Sequence, residues 1–305
     1  MTNQHLQLAL TDRPATRVGN GFAPGSFGEL LQGVSPDDGR DFLVTLPLSI
    51  GAHATFTPDA TLPDVQVAPA RKRKSLAVAR RALALLGAPP GGALTIDSSL
   101  PEGKGLASSS ADLVATVRAV ADAYDEAFDE TTVEGLLRDV EPTDGVMYAE
   151  TVAFYHREVR LRERLGLLPP LTLVAYDAGG AVDTVTFNRL PHPYSAEDTQ
   201  EFGRLYRRLA TAVREHDLRT VGRVCTRSAE LSTRLMPRAE LTMMIRLCHE
   251  VDGLGVVVTH SGTNIGVLLA PGSAADAVAH VRGACRPLPG SASVYTTLGT
   301  PEDGQ

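Results

Sequence analysis

The chain has 305 residues, 43% of them hydrophobic and 21% charged, a usage that excludes wholesale disorder. Its 29 Lys and Arg against 36 Asp and Glu leave a net charge of −7, the wrong sign for a protein dedicated to DNA or RNA. At about 150 residues per domain the length favours two domains, with one large mixed unit as the alternative.

Residues 1–19 carry no signal-peptide pattern and read as a flexible tail. Apolar runs and alternation then predict strands at Phe42–Ile50, Ala52–Thr57 and Leu94–Asp97. Helical periodicity predicts helices at Ser75–Leu86, Ser108–Tyr124, Val133–Val140 and Val146–Leu165. Gly166 to Pro170 form a stop, and strands at Leu171–Asp177 and Val182–Asn188 follow. Three helices come next, at Ala196–Glu215, Leu218–Leu235 and Arg238–Val251. Strands at Gly255–His260 and Ile265–Ala270, a helix at Ala274–Cys285 and a strand at Ser293–Leu298 complete the order. Strands and helices mix without strict alternation, so the fold class is α+β, with domains at 20–168 and 169–305. No apolar run reaches the roughly 20 residues of a bilayer span. Cys225, Cys248 and Cys285 lie far apart, with no Cys-x-x-Cys, and read as reduced thiols of a cytoplasmic protein.

The most informative stretch runs from Leu100 to Asp112. It follows a predicted strand and opens a predicted helix. Gly103 and Gly105 permit backbone turns and close approach that other residues resist. Ser108, Ser109 and Ser110 then place hydroxyls at a helix end whose unpaired amides and partial positive charge suit phosphate. Lys104 adds a cation, and a serine hydroxyl has the reach for Mg²⁺. An ordinary serine cap after a glycine turn accounts for the residues equally well. The stretch is not a Walker A loop, because Gly105 follows Lys104, nor a dinucleotide fingerprint, because Ser108 stands where the third glycine belongs. The basic run Arg71 to Lys74 reads as a solvated loop, with nucleotide contact by Lys74 or Arg71 as the alternative.

Pro101-x-x-x-Gly105-Leu106-Ala107-Ser108-Ser109 resembles the phosphate-binding signature of the GHMP kinases, which has a glycine where this chain has Ala107. Ala23-Pro24-Gly25-Ser26-Phe27-Gly28-Glu29-Leu30-Leu31-Gln32-Gly33 resembles the first motif of that superfamily. Thr259-His260-Ser261-Gly262-Thr263-Asn264-Ile265-Gly266 resembles the third, without its usual Gly-x-Gly spacing. The three occur in family order across residues 20–300. The Gly28-Glu29-Leu30-Leu31-Gln32-Gly33 variant and the run from Lys104 to Asp112 are most similar to one branch, the L-threonine kinases of cobalamin biosynthesis.

The resemblance implies a two-domain fold, a ribosomal S5 domain 2-like half followed by a ferredoxin-like half, with ATP and substrate in the cleft between them. It implies ATP phosphates held by Gly103, Lys104, Gly105, Leu106, Ala107, Ser108, Ser109 and Ser110, with Lys74 beside them and Lys104 taking part in catalysis. Mg²⁺ would be held by Ser109 and Glu141, with Glu134 as a substitute for the latter. The general base would be Asp144, in a turn before a helix, where a helix-capping role is the alternative. The acceptor would meet Ser26, Glu29, Gln32, Asp144, Asp183, Ser261, Gly262 and Thr263. The stretch from Asp177 to Asp183 reads equally as a Gly-Gly hairpin. His260 is a cleft candidate as well as a structural histidine. The implied activity is ATP-dependent phosphorylation of a small hydroxylated metabolite, L-threonine above serine or homoserine, with no nucleic-acid or membrane partner. A nucleotide-binding regulatory protein is the non-enzymatic alternative.

Overall fold

The computed structural model describes residues 17–180 and 193–299. Its frame is a long antiparallel pair, β1 (Gly19–Val34) and β2 (Asp41–Pro58). The register runs from Gly19 opposite Phe56 to Val34 opposite Asp41, with irregularities between Pro24 and Leu31. Such bulges bend a strand and re-aim its side chains. Here the bend falls on the segment that carries Glu29.

β3 (Val65–Ala68) and β4 (Gly92–Ser98) extend the sheet beyond β2, with α1 (Arg73–Leu86) between them. α2 (Ser108–Ala123) packs across β1 and β2 and is buried on nearly every side. A Cβ at Gly21 would lie 2.1 Å from the Ala115 carbonyl, so only glycine lets strand and helix approach this closely. α3 (Glu130–Arg138) follows, capped by Asp129 accepting from Thr132 N–H. β5 (Thr151–Tyr155) and β6 (Arg160–Gly166) form a hairpin against β2.

The second half contributes β7 (Thr172–Asp177), α4 (Ala196–Arg214), α5 (Leu218–Ser232) and α6 (Leu241–Glu250). It ends with β8 (Gly255–Val258), β9 (Asn264–Leu269), α7 (Ala275–Cys285) and β10 (Ser291–Thr296). The sheet order is β10-β7-β9-β8-β1-β2-β4-β3, and Glu29 pairs with Val258 where the two halves join. One hydrophobic core runs from Ala23 to Leu268 through both halves. A second cluster lies under α6 and α7, around Met244, Leu247, Val256 and Val281.

Most predicted elements are present within a few residues of their expected ends, and Phe42–Ile50 and Ala52–Thr57 fuse into β2. The helix expected at Val146–Leu165 is instead the β5–β6 hairpin. Its Glu, Arg and Leu favour helix in isolation, but Thr151–Tyr155 is β-branched and aromatic and buried at all five positions. Pairing with Leu43 and Val44 of β2 outweighs local preference, and Val159 takes a φ of 46° in the turn. β1 and β3 were absent from the periodicity reading, because β1 is buried on both faces and does not alternate. The strand expected at Val182–Asn188 lies outside the described residues.

Candidate active site

A cavity of about 200 Å³ opens where β1, the α2 entry, the loop after α3 and the β8–β9 loop meet. Its phosphate-like side is the turn 103–107 and the first turn of α2. Gly103, Gly105 and Ala107 all have positive φ, and Ala107, at φ 56° and ψ 29°, caps α2. No side chain caps this end, and no acid occupies its first turn. Its amides are therefore available to an anion, and the helix dipole favours one. The turn is stitched to β1 by Ser26 N–H to the Leu106 carbonyl at 3.2 Å and Gly28 N–H to the Gly105 carbonyl at 3.4 Å.

The acidic side is the turn from Glu141 to Asp144. Ser109 Oγ donates to the Glu141 carboxylate, whose other oxygen pairs with Lys74. Asp144 N–H donates to Ser110 Oγ at 3.1 Å, and Thr143 N–H donates to the His156 carbonyl at 3.0 Å. The turn is thus held between α2 and the β5–β6 hairpin. Asp144 keeps some surface toward the cavity, yet burial pushes its carboxyl up to about 6, with the Glu141 charge adding to the rise. A carboxylate near that value is suited to take a proton at neutral pH.

Glu29 lies across the cavity, 5% exposed. Burial, and then the Asp144 charge, raise it well above the usual carboxylate range, opposed by the His260 backbone N–H and by the Arg238 charge. Its Oε2 has no hydrogen-bond partner among the described residues. Two carboxyls raised by the same cavity form a site that an ammonium would satisfy. The rings of His156 and His260 complete this wall, with centroids 5.0 Å apart, and His260 Nδ1 lies 2.8 Å from Gln32 Oε1.

The donor set of Ser109 and Glu141 is a hydroxyl and a carboxylate, both oxygen, beside the anion-ready helix end. That chemistry fits Mg²⁺, which takes one or two carboxylates and completes its shell with phosphate and water. Among the described residues no group of three or more His, Cys, Asp or Glu stands ready to hold a metal ion.

The expected site residues fall into three groups. Gly103, Gly105, Leu106, Ala107, Ser108, Ser109, Ser110, Lys74, Glu141, Asp144, Glu29 and Ser261 all line the cavity. Lys104 does not: its ammonium pairs with Asp177 at 2.7 Å and donates to the Gly180 carbonyl at 2.6 Å. Thr263 Oγ1 bonds the same Asp177 at 2.5 Å, and Ser26 Oγ is engaged within the β1–β2 pair by Gly28 O and Leu46 N–H. Gln32 reaches the cavity through His260, while Gly262 packs beneath Lys104. Glu134 accepts from Tyr148 Oη and Leu161 N–H, both at 2.8 Å, in the α3–β6 region away from the cavity. Asp183 lies outside the described residues. No local signal marks Arg238, and helical periodicity over Val146–Leu165 hides His156, which sits in the β5–β6 turn.

A second cavity of about 340 Å³ adjoins the first through Lys74, Gly103, Ser108 and Ser109 and is bordered by the basic run. There Lys72 pairs with Asp112 at 2.5 Å and Glu102 at 2.7 Å, so this part of the run is engaged with acids of the phosphate-loop region.

Comparison with known proteins covers most of the chain. The description "GHMP kinases N terminal domain" matches residues 73–155. An L-threonine kinase of Salmonella typhimurium is 30% identical over 254 residues, covering 81% of each chain. An L-threonine kinase of Citrobacter freundii is 28% identical over 177 residues, 58% of this chain and 62% of that one. The fold is shared with homoserine kinase from Cytophaga hutchinsonii, at a TM-score of 0.72 and 14% identity, over 94% of this chain and 96% of that one. It is shared also with L. major mevalonate kinase, solved with R-mevalonate, at 0.68 and 17%, over 95% and 98%.

Proposed function

Because the chain belongs to the GHMP kinases, and is a small-molecule kinase, we propose that it transfers the terminal phosphoryl group of ATP to the hydroxyl of L-threonine. The observation that carries this reading is the position of Asp144. Its carboxyl, raised to about 6, shares one cavity with the open amino end of α2.

In this reading the amides of α2 and the 103–107 turn hold the phosphates, and the adjoining basic cavity takes the nucleoside. Ser109 and Glu141 would hold Mg²⁺, which when bound neutralises phosphate charge. Asp144 accepts the proton of the acceptor hydroxyl as its oxygen forms the new bond to phosphorus and the bond to ADP breaks. Glu29 receives the acceptor's ammonium, which relieves two buried carboxyls of an unfavourable juxtaposition. Lys104 reaches phosphate only if its ammonium leaves Asp177. An acceptor-competent carboxylate in the cavity favours a kinase over a nucleotide-binding regulator. The resemblance to L-threonine kinases supports threonine over other hydroxylated amino acids.

ADP release measured across amino acids, sugars and short alcohols tests the assignment. L-threonine should be the best acceptor. L-serine should be poorer but active, since one methyl is worth about 1–3 kcal/mol. N-acetylthreonine and 2-propanol, which lack the ammonium, should be inert. A sugar or a mevalonate-like acid outperforming both amino acids would overturn the threonine reading and leave the family standing.

A further inference from the structure

Arg238 stands just before α6, outside every motif, and its guanidinium is folded into the β8–β9 loop. Nη2 donates to the Thr259 carbonyl at 2.6 Å and the Gly262 carbonyl at 3.0 Å, and Nη1 to the Asn264 carbonyl at 3.3 Å. Three carbonyls of the segment 259–264 thus converge on a single half-buried cation. The loop's other faces touch both halves of the site. Asn264 Nδ2 donates to the Lys104 carbonyl at 2.8 Å, and Gly262 lies so close that a Cβ there would meet that carbonyl at 2.2 Å. Thr259 packs against Gly105, where a Cβ would sit 2.5 Å from the threonine Cβ. On the acceptor side, the His260 backbone N–H donates to Glu29.

We propose that Arg238 is a positioning residue: by chelating the 259–264 loop it sets the phosphate turn at Lys104 and Gly105 and the Glu29 carboxyl together, so one guanidinium governs nucleotide and acceptor binding. A neutral side chain cannot replace it, because the buried Thr259 and Gly262 carbonyls would lose the donor they share, whereas the Asn264 carbonyl keeps the Thr259 N–H and Oγ1. Nor does a lysine, whose point charge lacks the planar fork that spans several carbonyls. Burial lowers Arg238 to about 10, which leaves it charged at neutral pH, and the nearby Glu29 carboxylate favours that charge. Asp144 and the two histidines share the cavity with Glu29, and the Arg238 charge acts on it from outside the lining.

The acceptor arm of the test rests on the kinase reading above; the nucleotide arm does not require threonine to be the substrate. Arg238→Ala and Arg238→Lys are compared with wild type for thermal melting, calorimetric binding of Mg·ATP, and kcat and KM for L-threonine. In the alanine variant Mg·ATP binding should weaken and the threonine KM rise, each by about tenfold or more, as for one lost charged hydrogen bond. The kcat at saturation should fall less, and millimolar guanidinium should restore part of both affinities. Arg238→Lys should be intermediate, and it alone decides the question if the alanine variant does not fold. A folded variant that binds Mg·ATP and threonine within twofold of wild type overturns the proposal. So does a loss that tracks the folded fraction alone and that guanidinium does not rescue. If wild type binds Mg·ATP but leaves threonine untouched, the acceptor reading fails while the nucleotide arm still judges Arg238.

Discussion

At the residue scale, the proposed reaction makes Asp144 the proton acceptor. Replacing it with asparagine keeps shape and hydrogen bonding but removes the proton acceptor, so kcat should fall by about 10²–10⁴-fold with Mg·ATP binding retained. A near-wild-type kcat would reduce Asp144 to a positioning group. Its carboxyl is raised to about 6, so activity should climb through an acid limb near pH 6 and level off above it, which a pH–rate profile measures. The same shift has a stability consequence. The folded state favours the protonated acid more than the unfolded chain does, so stability falls as pH rises from about 4 through about 6. Asparagine never ionises and escapes that loss. Asp144→Asn should melt higher than wild type at pH 7.5, with the difference fading toward pH 4. Ala107 is the other telling residue. It occupies the left-handed region at the position where the phosphate-binding signature it resembles has glycine. Ala107→Gly should stabilise the protein by up to about 1 kcal/mol in urea unfolding, because glycine adopts that backbone freely. A loss of stability would mean that the alanine methyl packs better than its strain costs.

At the element scale, the 103–107 turn is packed against the 259–264 segment at Lys104, Gly105 and Gly262. Gly262 is where the two loops touch, and a methyl there would sit 2.2 Å from the Lys104 carbonyl. Gly262→Ala should therefore destabilise the fold by about 1–3 kcal/mol and raise the KM for ATP, read by urea unfolding and steady-state kinetics. An unchanged KM would show that the turn holds its geometry alone. The β5–β6 hairpin does comparable work on the other side. Its Tyr155-to-Arg160 turn carries His156, whose carbonyl anchors Thr143 and with it the turn of Glu141 and Asp144. A helix over 146–165 would have removed that anchor.

For the whole molecule, the sheet is continuous from β10 to β3, and the join is β1 against β8 at Glu29 and Val258. We propose the division at Leu168 as a division of cleft walls, with β1 covered by α4 and α5 from the second half. Residues 20–168 expressed alone should expose the apolar face of β1 that α4 and α5 cover and associate or remain partly unfolded. The complete chain should melt in one transition. Size-exclusion chromatography and circular dichroism compare them, and a stable monomeric fragment would show that each half folds on its own.

The turn at 103–107, the Pro-Gly entry to Glu29 and the acidic turn of Glu141 and Asp144 were legible in the sequence, because glycine turns, serine-led helix ends and acidic turns are local signals. The order of most helices and strands was legible for the same reason, through their periodicity. The β5–β6 hairpin, the path of β1, the engagement of Lys104 by Asp177 and the hydrogen bonds of Arg238 to the 259–264 segment were settled by contacts between residues far apart in the chain. Lys104 and Asp177 are both polar residues at loop ends, and nothing within either segment says that they meet. Sequence pattern records which groups are present and what backbone each prefers. Which of two preferences prevails, and which charge faces which, depends on burial and pairing that exist only once the sheet has formed.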